Sequence, residues 1–206
     1  MGTFYYKDLI LLPNQEVSAA FLMGKVISVL HLICVEDEHR TGSVNTGIGF
    51  PGYNKEERTL GNLVRLFAAN PDILHNSSSD RRLLRLDDYL KQGDIQPVPD
   101  TVQGYVQYRR VQFKENKERL VRRYAKRHNM DIKQAMKVYA DYKNPANDLP
   151  YVTLDSLSSG QRFRLYINEV LQTDNTNPPV FNNYGLTKSG FLPYFDSVQP
   201  HRGSVI

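Results

Sequence analysis

The chain has 206 residues and a formal net charge of +4, and 40% of its residues are hydrophobic and 23% charged. This length and composition predict one large or two small globular domains, and they exclude a fibrous or intrinsically disordered protein. Cys34 is the single cysteine, which excludes an internal disulfide and a zinc site built on cysteine pairs. A reducing compartment is therefore favoured.

The N-terminal sequence favours a cytoplasmic protein. "MGTFYYKDLI" lacks the basic segment followed by an apolar one that a secretory signal requires. The apolar run "VISVLHLICV" is shorter than a bilayer-spanning helix. We therefore expect no membrane partner.

The positive charge is concentrated in residues 107–130, where nine lysines and arginines stand against Glu115 and Glu118. This segment carries +7, which leaves −3 for the remainder of the chain. A basic segment on a mildly acidic body is typical of a protein that binds a polyanion, because the field of such a segment acts locally, within a Debye length.

The N-terminal half alternates strand and helix patterns. "TFYYKDLILLP" is rich in β-forming residues and ends at Pro13, which predicts a first strand. "EVSAAFLMGKVISVLHLI" has apolar residues at helical spacing, which predicts a helix with His31 in or near its last turn, followed by a solvated loop at "VEDE". Two more strands are predicted at "TGIGFPGY" and "RTLGNLVRLFAA", an interrupted helix at "NPDILHNSSSDRRLLRLDDYLKQGD", and a fourth strand at "YVQYRRVQFK".

This order of strand, helix, two strands, helix and strand is the split βαβ pattern of ferredoxin-like folds, which RNA-recognition motifs share. Two helices follow, at "NKERLVRRYAKRHN" and "DIKQAMKVYADYKN", and then strands at "YVTLDS", "QRFRLYINEV" and "FLPYF". We predict an α+β protein with two domains. Residues 1–104 form a ferredoxin-like, RNA-recognition-motif-like domain, and residues 105–206 form a domain with the basic helix and a small antiparallel sheet.

One face of the basic helix is cationic. Its cations recur at i, i+3, i+4 and i+7 (Arg119, Arg122, Arg123 and Lys126), and its apolar residues lie opposite (Leu120, Val121, Tyr124 and Ala125). A solvated helix usually mixes signs so that i, i+4 pairs offset repulsion, whereas like charges adjoin here. The pattern predicts an anionic partner; the alternative is an exposed charged face without a partner.

Arg110 and Gln112 alternate along the preceding strand and therefore point the same way. Arginine matches guanine and glutamine matches adenine in bidentate geometry. In A-form RNA the major groove is ordinarily too deep and narrow for this readout, so access is easiest at the end of a short hairpin. We expect these two side chains to read bases at the foot of a stem-loop.

Four stretches together resemble the type I-F (Yersinia-type) CRISPR-associated endoribonuclease that processes precursor CRISPR RNA: "LMGKVISVLH", "YRRVQFKENKERLVRRYAKRH", "DLPYVTLDSLSSGQRFRLYI" and "FNNYGLTKSGFLPYF". The resemblance runs with little gapping from about Tyr108 to Phe195, and before that it rests on the segment around His31 and on "TGIGFP". It implies cleavage of the CRISPR repeat hairpin at the 3′ foot of its stem without a metal or other cofactor. It also implies that the product stays bound, in a complex with other type I-F subunits.

The resemblance assigns three residues to the chemistry. His31 matches the general base, and Ser156 matches the serine that holds the ribose bearing the attacking 2′-hydroxyl. Tyr184 matches the tyrosine that orients the histidine. Two departures bear on these roles: the loop after His31 is longer than in the family, and Asp155 stands where a basic residue is expected.

The resemblance assigns further residues to RNA binding. Phe163 matches the aromatic residue that stacks beneath the terminal base pair, and Arg110 and Gln112 match the two base readers. The remaining matches belong to the basic helix and to the serine turn: Arg119, Arg122, Arg123, Lys126, Arg127, His128, Ser158 and Ser159.

Two alternatives stay open. The first alternative to an endoribonuclease is a hairpin-binding assembly subunit without useful catalysis, and the second is an unrelated RNA-recognition-motif protein with a basic extension. Both need only the basic helix and Phe163, whereas catalysis also requires His31, Ser156 and Tyr184 to converge. Taken singly, such a histidine is more often a packing residue, a serine turn is often only a turn, and aromatic residues are often core.

Overall fold

A computed structural model describes residues 4–112, 117–141, 148–156, 160–174 and 177–196, with the backbone alone for 117–119. Its first half contains the following elements: β1 (Tyr5–Leu11), α1 (Ala19–Thr41), β2 (Gly47–Gly49), β3 (Leu63–Ala68), α2 (Pro71–Ser78), α3 (Arg81–Leu84), β4 (Leu90–Gln92) and β5 (Gln96–Pro97). Its second half contains β6 (Gly104–Val111), α4 (Lys117–His128), α5 (Ile132–Val138), β7 (Tyr151–Asp155), β8 (Arg162–Gln172), β9 (Val180–Phe181), β10 (Thr187–Ser189) and β11 (Leu192–Tyr194). The protein is α+β, with antiparallel sheets.

The first sheet has the strand order β2-β3-β1-β4, and all of these pairings are antiparallel. This order is compatible with a ferredoxin-like fold. The fourth strand was wrongly predicted, because Leu90–Gln92 rather than "YVQYRRVQFK" pairs with β1, and Gln96–Pro97 extends that edge. Segments of three and two residues are too short to show a strand periodicity.

The segment "YVQYRRV" instead forms β6 in a second sheet of order β11-β6-β8-β7. β6 pairs with β8 along its length, from Tyr105 opposite Gln172 to Val111 opposite Tyr166. β9 and β10 form a separate two-stranded hairpin, which the sequence did not predict.

One hydrophobic core serves both sheets. It includes Leu9 and Leu66 from the first sheet and Leu165 and Ile167 from the second. Tyr108 links the halves directly, because its hydroxyl donates a hydrogen bond of 2.9 Å to the carbonyl of Phe50 and the two rings pack edge to face. The boundary near residue 105 stays a prediction, and it falls between sheets that bury their apolar faces together.

Helix α1 is longer than predicted. Ser18 caps its N-terminus, and Gly42 ends it in the left-handed conformation, at φ 80°. The helix continues ten residues beyond His31, so that "VEDE" and the residues after it are helical rather than a loop, and His31 lies well before the last turn. The residues from His31 to Thr41 are therefore held in one continuous helix.

The 23 residues of α1 are enough, by length and composition, to cross a membrane, which the ten-residue run alone did not indicate. One face of α1 packs into the core through Leu22, Val26, Ile27 and Leu30, in the manner of a core helix. Cys34 is buried on this helix too, and burial raises the pKa of its thiol to about 12. A thiol in this environment is inert rather than reactive.

Arg65 is the largest fully buried charged side chain in the described residues, at 1% exposure. Its guanidinium forms two hydrogen bonds with the carboxylate of Asp8 across the β1–β3 pair, at 2.7 and 2.9 Å. A third hydrogen bond, of 2.8 Å, goes to the carbonyl of Phe195, and the guanidinium also lies over the rings of Phe195 and Tyr6. The first sheet therefore holds the chain segment that follows β11.

We predict that Asp8→Asn lowers the free energy of unfolding by about 3–5 kcal/mol, because it leaves the buried guanidinium without its counter-charge. Urea unfolding checks this. The matched control is Asp148→Asn, since Asp148 pairs with Arg58 on the surface, where loss of an ion pair costs about 0–1 kcal/mol. Equal losses in the two variants would contradict the prediction.

Candidate active site

The site begins with a close approach between α1 and β7. Gly24 has no side chain, and a Cβ atom at that position would lie 2.8 Å from the carbonyl oxygen of Thr153. Only glycine permits this approach without a shift of the helix or the strand. As a result, the helix turns that carry Ser28 and His31 lie beside the end of β7, where the chain enters the serine turn.

The turn between β7 and β8 is closed by backbone hydrogen bonds. The amide of Ser156 donates to the carbonyl of Gln161 at 2.9 Å, and the amide of Gly160 donates to the carbonyl of Ser156 at 2.7 Å. Gly160 has φ 65°, which a residue with a side chain rarely adopts. Ser158 and Ser159 lie outside the described residues.

Asp155 does not bring an uncompensated negative charge to this turn. Its carboxylate accepts a hydrogen bond of 3.1 Å from Arg162, which stands opposite it in the β7–β8 register. Both side chains are exposed, so the pair contributes little to stability. Arg162 nevertheless offsets the negative charge of Asp155, the residue at which the sequence departs from the family resemblance.

The tight connection between β9 and β10 supplies the third part of the site. The side-chain oxygen of Asn182 accepts hydrogen bonds from the amides of Tyr184 and Leu186, at 2.8 and 3.2 Å. Gly185 has φ 69°, and a Cβ there would lie 2.6 Å from a side-chain carbon of Ile48. This sharp turn therefore needs both the asparagine and the glycine of "NNYGL".

His31 contacts this turn at two points. Its Nδ1 lies 2.6 Å from the carbonyl oxygen of Asn183, and its ring stacks on Tyr184 with centroids 4.1 Å apart and an interplanar angle of 8°. A carbonyl oxygen only accepts hydrogen bonds, so Nδ1 carries a hydrogen that it donates to this carbonyl, and this contact selects the Nδ1–H tautomer of the imidazole. Nε2 is then the nitrogen with a free lone pair.

Arg110 belongs to the same constellation. Its guanidinium carbon lies 5.0 Å from the centroid of the Tyr184 ring, within the range of a cation–π contact. Arg110 is half-buried, whereas Gln112, just beyond the end of β6, is exposed. In this structure the two predicted base readers thus have different surroundings, and Arg110 contacts a candidate catalytic side chain.

A cleft of about 540 Å³ runs between α1 and the serine turn. Phe163, which is half-buried and packs against the main core, lies at the cleft with Ser156. The structure therefore brings together four of the predicted residues, His31, Ser156, Phe163 and Tyr184. Others along α1 and β7 also line the cleft: Lys25, Ser28, Leu32, Val35, Leu154 and Asp155.

The basic helix α4 has the predicted amphipathic form. Val121 and Ala125 are buried against Ala135 of α5, in a small apolar cluster separate from the main core. His128 is exposed, and its ring centroid lies 4.2 Å from that of Tyr124. The cations of α4 whose side chains are described are also exposed: Arg122, Arg123, Lys126 and Arg127. The side chain of Arg119 lies outside the described set.

Comparison with known proteins decides the family. The family model described as "CRISPR-associated protein (Cas_Csy4)" matches residues 6–195. The chain belongs to this family. A relative from Pseudomonas aeruginosa (strain UCBPP-PA14), "CRISPR-associated endonuclease Cas6/Csy4", is 36% identical over 191 residues, which are 93% of this chain and 99% of the relative.

A second protein of the same name, from Escherichia coli (strain UTI89 / UPEC), is 30% identical over 194 residues, which are 93% of this chain and 99% of the relative. Among solved structures, "An RAMP protein binding different RNA substrates" has a TM-score of 0.27 and 13% identity, covering 81% of this chain and 87% of that chain. This structural likeness is too low to bear on the site. Membership of the Cas_Csy4 family therefore rests on the sequence relatives.

Three contributors to the site of this Cas_Csy4 family member were missed from the sequence. The carbonyl of Asn183 is a backbone group and leaves no residue-type signal. Gly24 could have been noticed as a glycine inside a predicted helix, which indicates close packing. Lys25 was missed because its helical position relative to the cleft depends on that packing. Within the described residues no group of three or more His, Cys, Asp or Glu side chains could hold a metal ion.

We predict that Gly24→Ala lowers the free energy of unfolding by about 1–3 kcal/mol, because the added methyl group forces α1 and β7 apart. Urea unfolding measures this, and faster amide exchange in β7 would locate the strain. Lys25→Ala, at the next, exposed position of the same helix, is the control and should change stability by less than about 0.5 kcal/mol. If Gly24→Ala behaved like this control, the close approach would not constrain the fold.

Proposed function

We propose that the protein is an endoribonuclease that binds the CRISPR repeat stem-loop and cleaves it at the 3′ base of the hairpin by attack of a 2′-hydroxyl group. Two relatives that align over nearly the whole chain are named CRISPR-associated endonucleases, which supports RNA processing as the activity. The observation that carries the chemistry is the fixed orientation of His31 over the cleft that holds Ser156 and Tyr184.

His31 acts as the general base in this mechanism. With Nδ1–H donated to the carbonyl of Asn183, Nε2 accepts the proton of the ribose 2′-hydroxyl. The 2′-oxygen then forms a bond to the adjacent phosphorus, and the bond from phosphorus to the 5′-oxygen breaks. That oxygen leaves with a proton taken up from water. The products are a 2′,3′-cyclic phosphate and a 5′-hydroxyl.

Ser156 and Tyr184 are proposed to position the reacting groups. The hydroxyl of Ser156 hydrogen-bonds the ribose so that its 2′-oxygen stands in line with the scissile phosphate, an arrangement that lowers the barrier by several kcal/mol. Tyr184 fixes the plane of the imidazole by stacking. Because the nucleophile belongs to the substrate and the base is a histidine, the mechanism uses no metal ion.

The remaining residues are proposed to hold the hairpin. The cationic face of α4 binds stem phosphates, and Phe163 stacks beneath the terminal base pair, where Gln112 and Arg110 read bases. Ser158 and Ser159, which closely follow Ser156 in the sequence, are proposed to add hydroxyl contacts. A stem held in this way stays bound after cleavage, which suits a subunit of a type I-F RNA-guided complex in the cytoplasm.

We predict that wild-type protein cleaves a labelled repeat hairpin in excess EDTA, and that His31→Ala slows cleavage by about 10²–10⁴-fold without loss of binding. A substrate with 2′-deoxyribose at the scissile nucleotide should bind and stay intact. His39→Ala is the matched control, since His39 is exposed in the last turn of α1. Gel analysis of the products and a filter-binding titration give both readouts.

The outcomes separate the alternatives. Binding without cleavage by wild type would favour the second candidate, a hairpin-binding subunit that lacks useful catalysis. Loss of cleavage on addition of EDTA would refute the metal-free mechanism. If several repeat hairpins were neither bound nor cleaved, an RNA-processing role would be refuted altogether.

We predict that Arg122→Gln with Arg123→Gln weakens hairpin binding and flattens its salt dependence, by about one in the log–log slope for each lost phosphate contact. The position of the cut should not change, because the helix holds the stem while the cleft sets the chemistry. Titrations at several salt concentrations and mapping of the product ends provide the measurements. The control is the double variant Arg81→Gln with Arg85→Gln, which removes an exposed arginine of α3 and the exposed arginine that follows this helix. It should leave the salt slope unchanged. A shifted cut site in the α4 variant would show that α4 also sets the register of the hairpin.

A further inference from the structure

The cleft continues along α1 beyond His31, towards the N-terminus of the helix. Ser28 and Lys25 line it on successive turns, and Phe21 lies one turn nearer the N-terminus of the helix than Lys25. Phe21 is 55% exposed, although it is a large apolar side chain, and the ammonium of Lys25 lies 5.1 Å from the centroid of its ring. An exposed aromatic ring and an exposed cation therefore stand together at this end of the cleft.

The two ends of the cleft differ in charge. Towards the C-terminus of α1, Leu32 and Val35 line the wall, and the acidic residues Glu36, Asp37 and Glu38 follow. The two arginines near this end are each paired with an acidic residue of the helix: Arg82 donates hydrogen bonds of 2.6 and 2.7 Å to Glu36, and Arg40 lies 2.8 Å from Asp37. An anionic strand that leaves His31 is therefore attracted towards Lys25 and away from the acidic end.

The spacing suits a nucleic acid strand. An α-helix rises about 1.5 Å per residue, so Lys25 lies about 9 Å and Phe21 about 15 Å from His31 along the helix axis. Proteins that bind single-stranded nucleic acid combine a cation for the backbone with an aromatic face for a base. Phe21 and Lys25 supply one of each, within a few nucleotides of the proposed cut.

We propose that Phe21 and Lys25 form a second RNA subsite, which holds the single-stranded repeat nucleotides immediately 3′ of the cut. This inference rests on the proposed function, which assigns the stem to α4 and Phe163. The proposed function assigns no contact to the strand 3′ of the cut, which leaves the cleft from the position of His31. Lys25 binds one of its phosphates, and Phe21 stacks one of its bases.

The test compares two RNAs that both carry 2′-deoxyribose at the scissile nucleotide. One ends at the first nucleotide after the cut, and the other extends several nucleotides further. We expect wild type to bind the longer RNA about tenfold more tightly, a gain that stacking of one base on an aromatic ring supports. Phe21→Ala with Lys25→Gln should abolish this gain, so that the variant binds the two RNAs equally. Phe21→Tyr alone should keep the gain, because a tyrosine ring also stacks.

Lys91→Gln, which removes an exposed lysine from β4 on the first sheet, controls for overall charge and should also keep the gain. Three results would overturn the subsite while leaving the proposed function intact. These are equal binding of the two RNAs by wild type, a gain that survives in the double variant, and an equal loss of the gain in Lys91→Gln. If wild type bound neither RNA, the proposed function itself would fail, and the subsite with it.

Discussion

The close approach of α1 to β7 at Gly24 is the constraint on which the rest of the site depends. The helix and the strand come from distant parts of the chain, and the Cβ of any other residue would lie 2.8 Å from the Thr153 carbonyl oxygen. Packing at this distance sets how far His31 lies from Ser156 and fixes the width of the cleft between them. Interiors pack too densely for such a shift to be absorbed locally, so one methyl group at position 24 acts on both walls of the site.

A second interaction orients the side chain of His31 at this position. The β9–β10 turn reaches His31 across 152 residues of sequence and contacts it through one carbonyl oxygen and one ring. The carbonyl selects the tautomer, and the ring selects the plane of the imidazole. Both contacts leave Nε2 of His31 without a partner from this turn, on the side of the ring away from the Asn183 carbonyl. Arg110 of strand β6 contacts the ring of Tyr184, so that β6 is linked through this ring to the orientation of the His31 imidazole.

The sequence predicted those parts of the fold whose pattern is local and failed where pairing is long-range. The alternation in "YVTLDS" and "QRFRLYINEV" predicted β7 and β8, and the cationic spacing in the basic helix predicted which face of α4 is buried. The strand pairing of "YVQYRRVQFK" was misassigned, because any alternating strand fits a split βαβ order until its neighbour is known. The strand that pairs with β1 at this position is Leu90–Gln92, which is too short to show an alternating pattern in the sequence. At the site, family resemblance predicted His31, Ser156 and Tyr184. The Asn183 carbonyl is a backbone group that leaves no residue-type signal, and a glycine inside a helix indicates close packing without showing which strand it approaches.

The basic helix α4 and the cleft at His31 are supported by two separate apolar clusters. α4 and α5 pack on each other through Val121, Ala125 and Ala135, apart from the core that holds His31. Like charges adjoin on the exposed face of α4, so an anion bound along that face would stabilise this unit, and the proposed function assigns RNA to it. The cleft at His31, by contrast, is formed by contacts within the protein among α1, β7 and the β9–β10 turn. In the proposed function, a stem bound by α4 therefore presents its foot to a site whose walls are set by other elements, and the affinity that would keep the product bound resides outside the groups proposed to perform the cut.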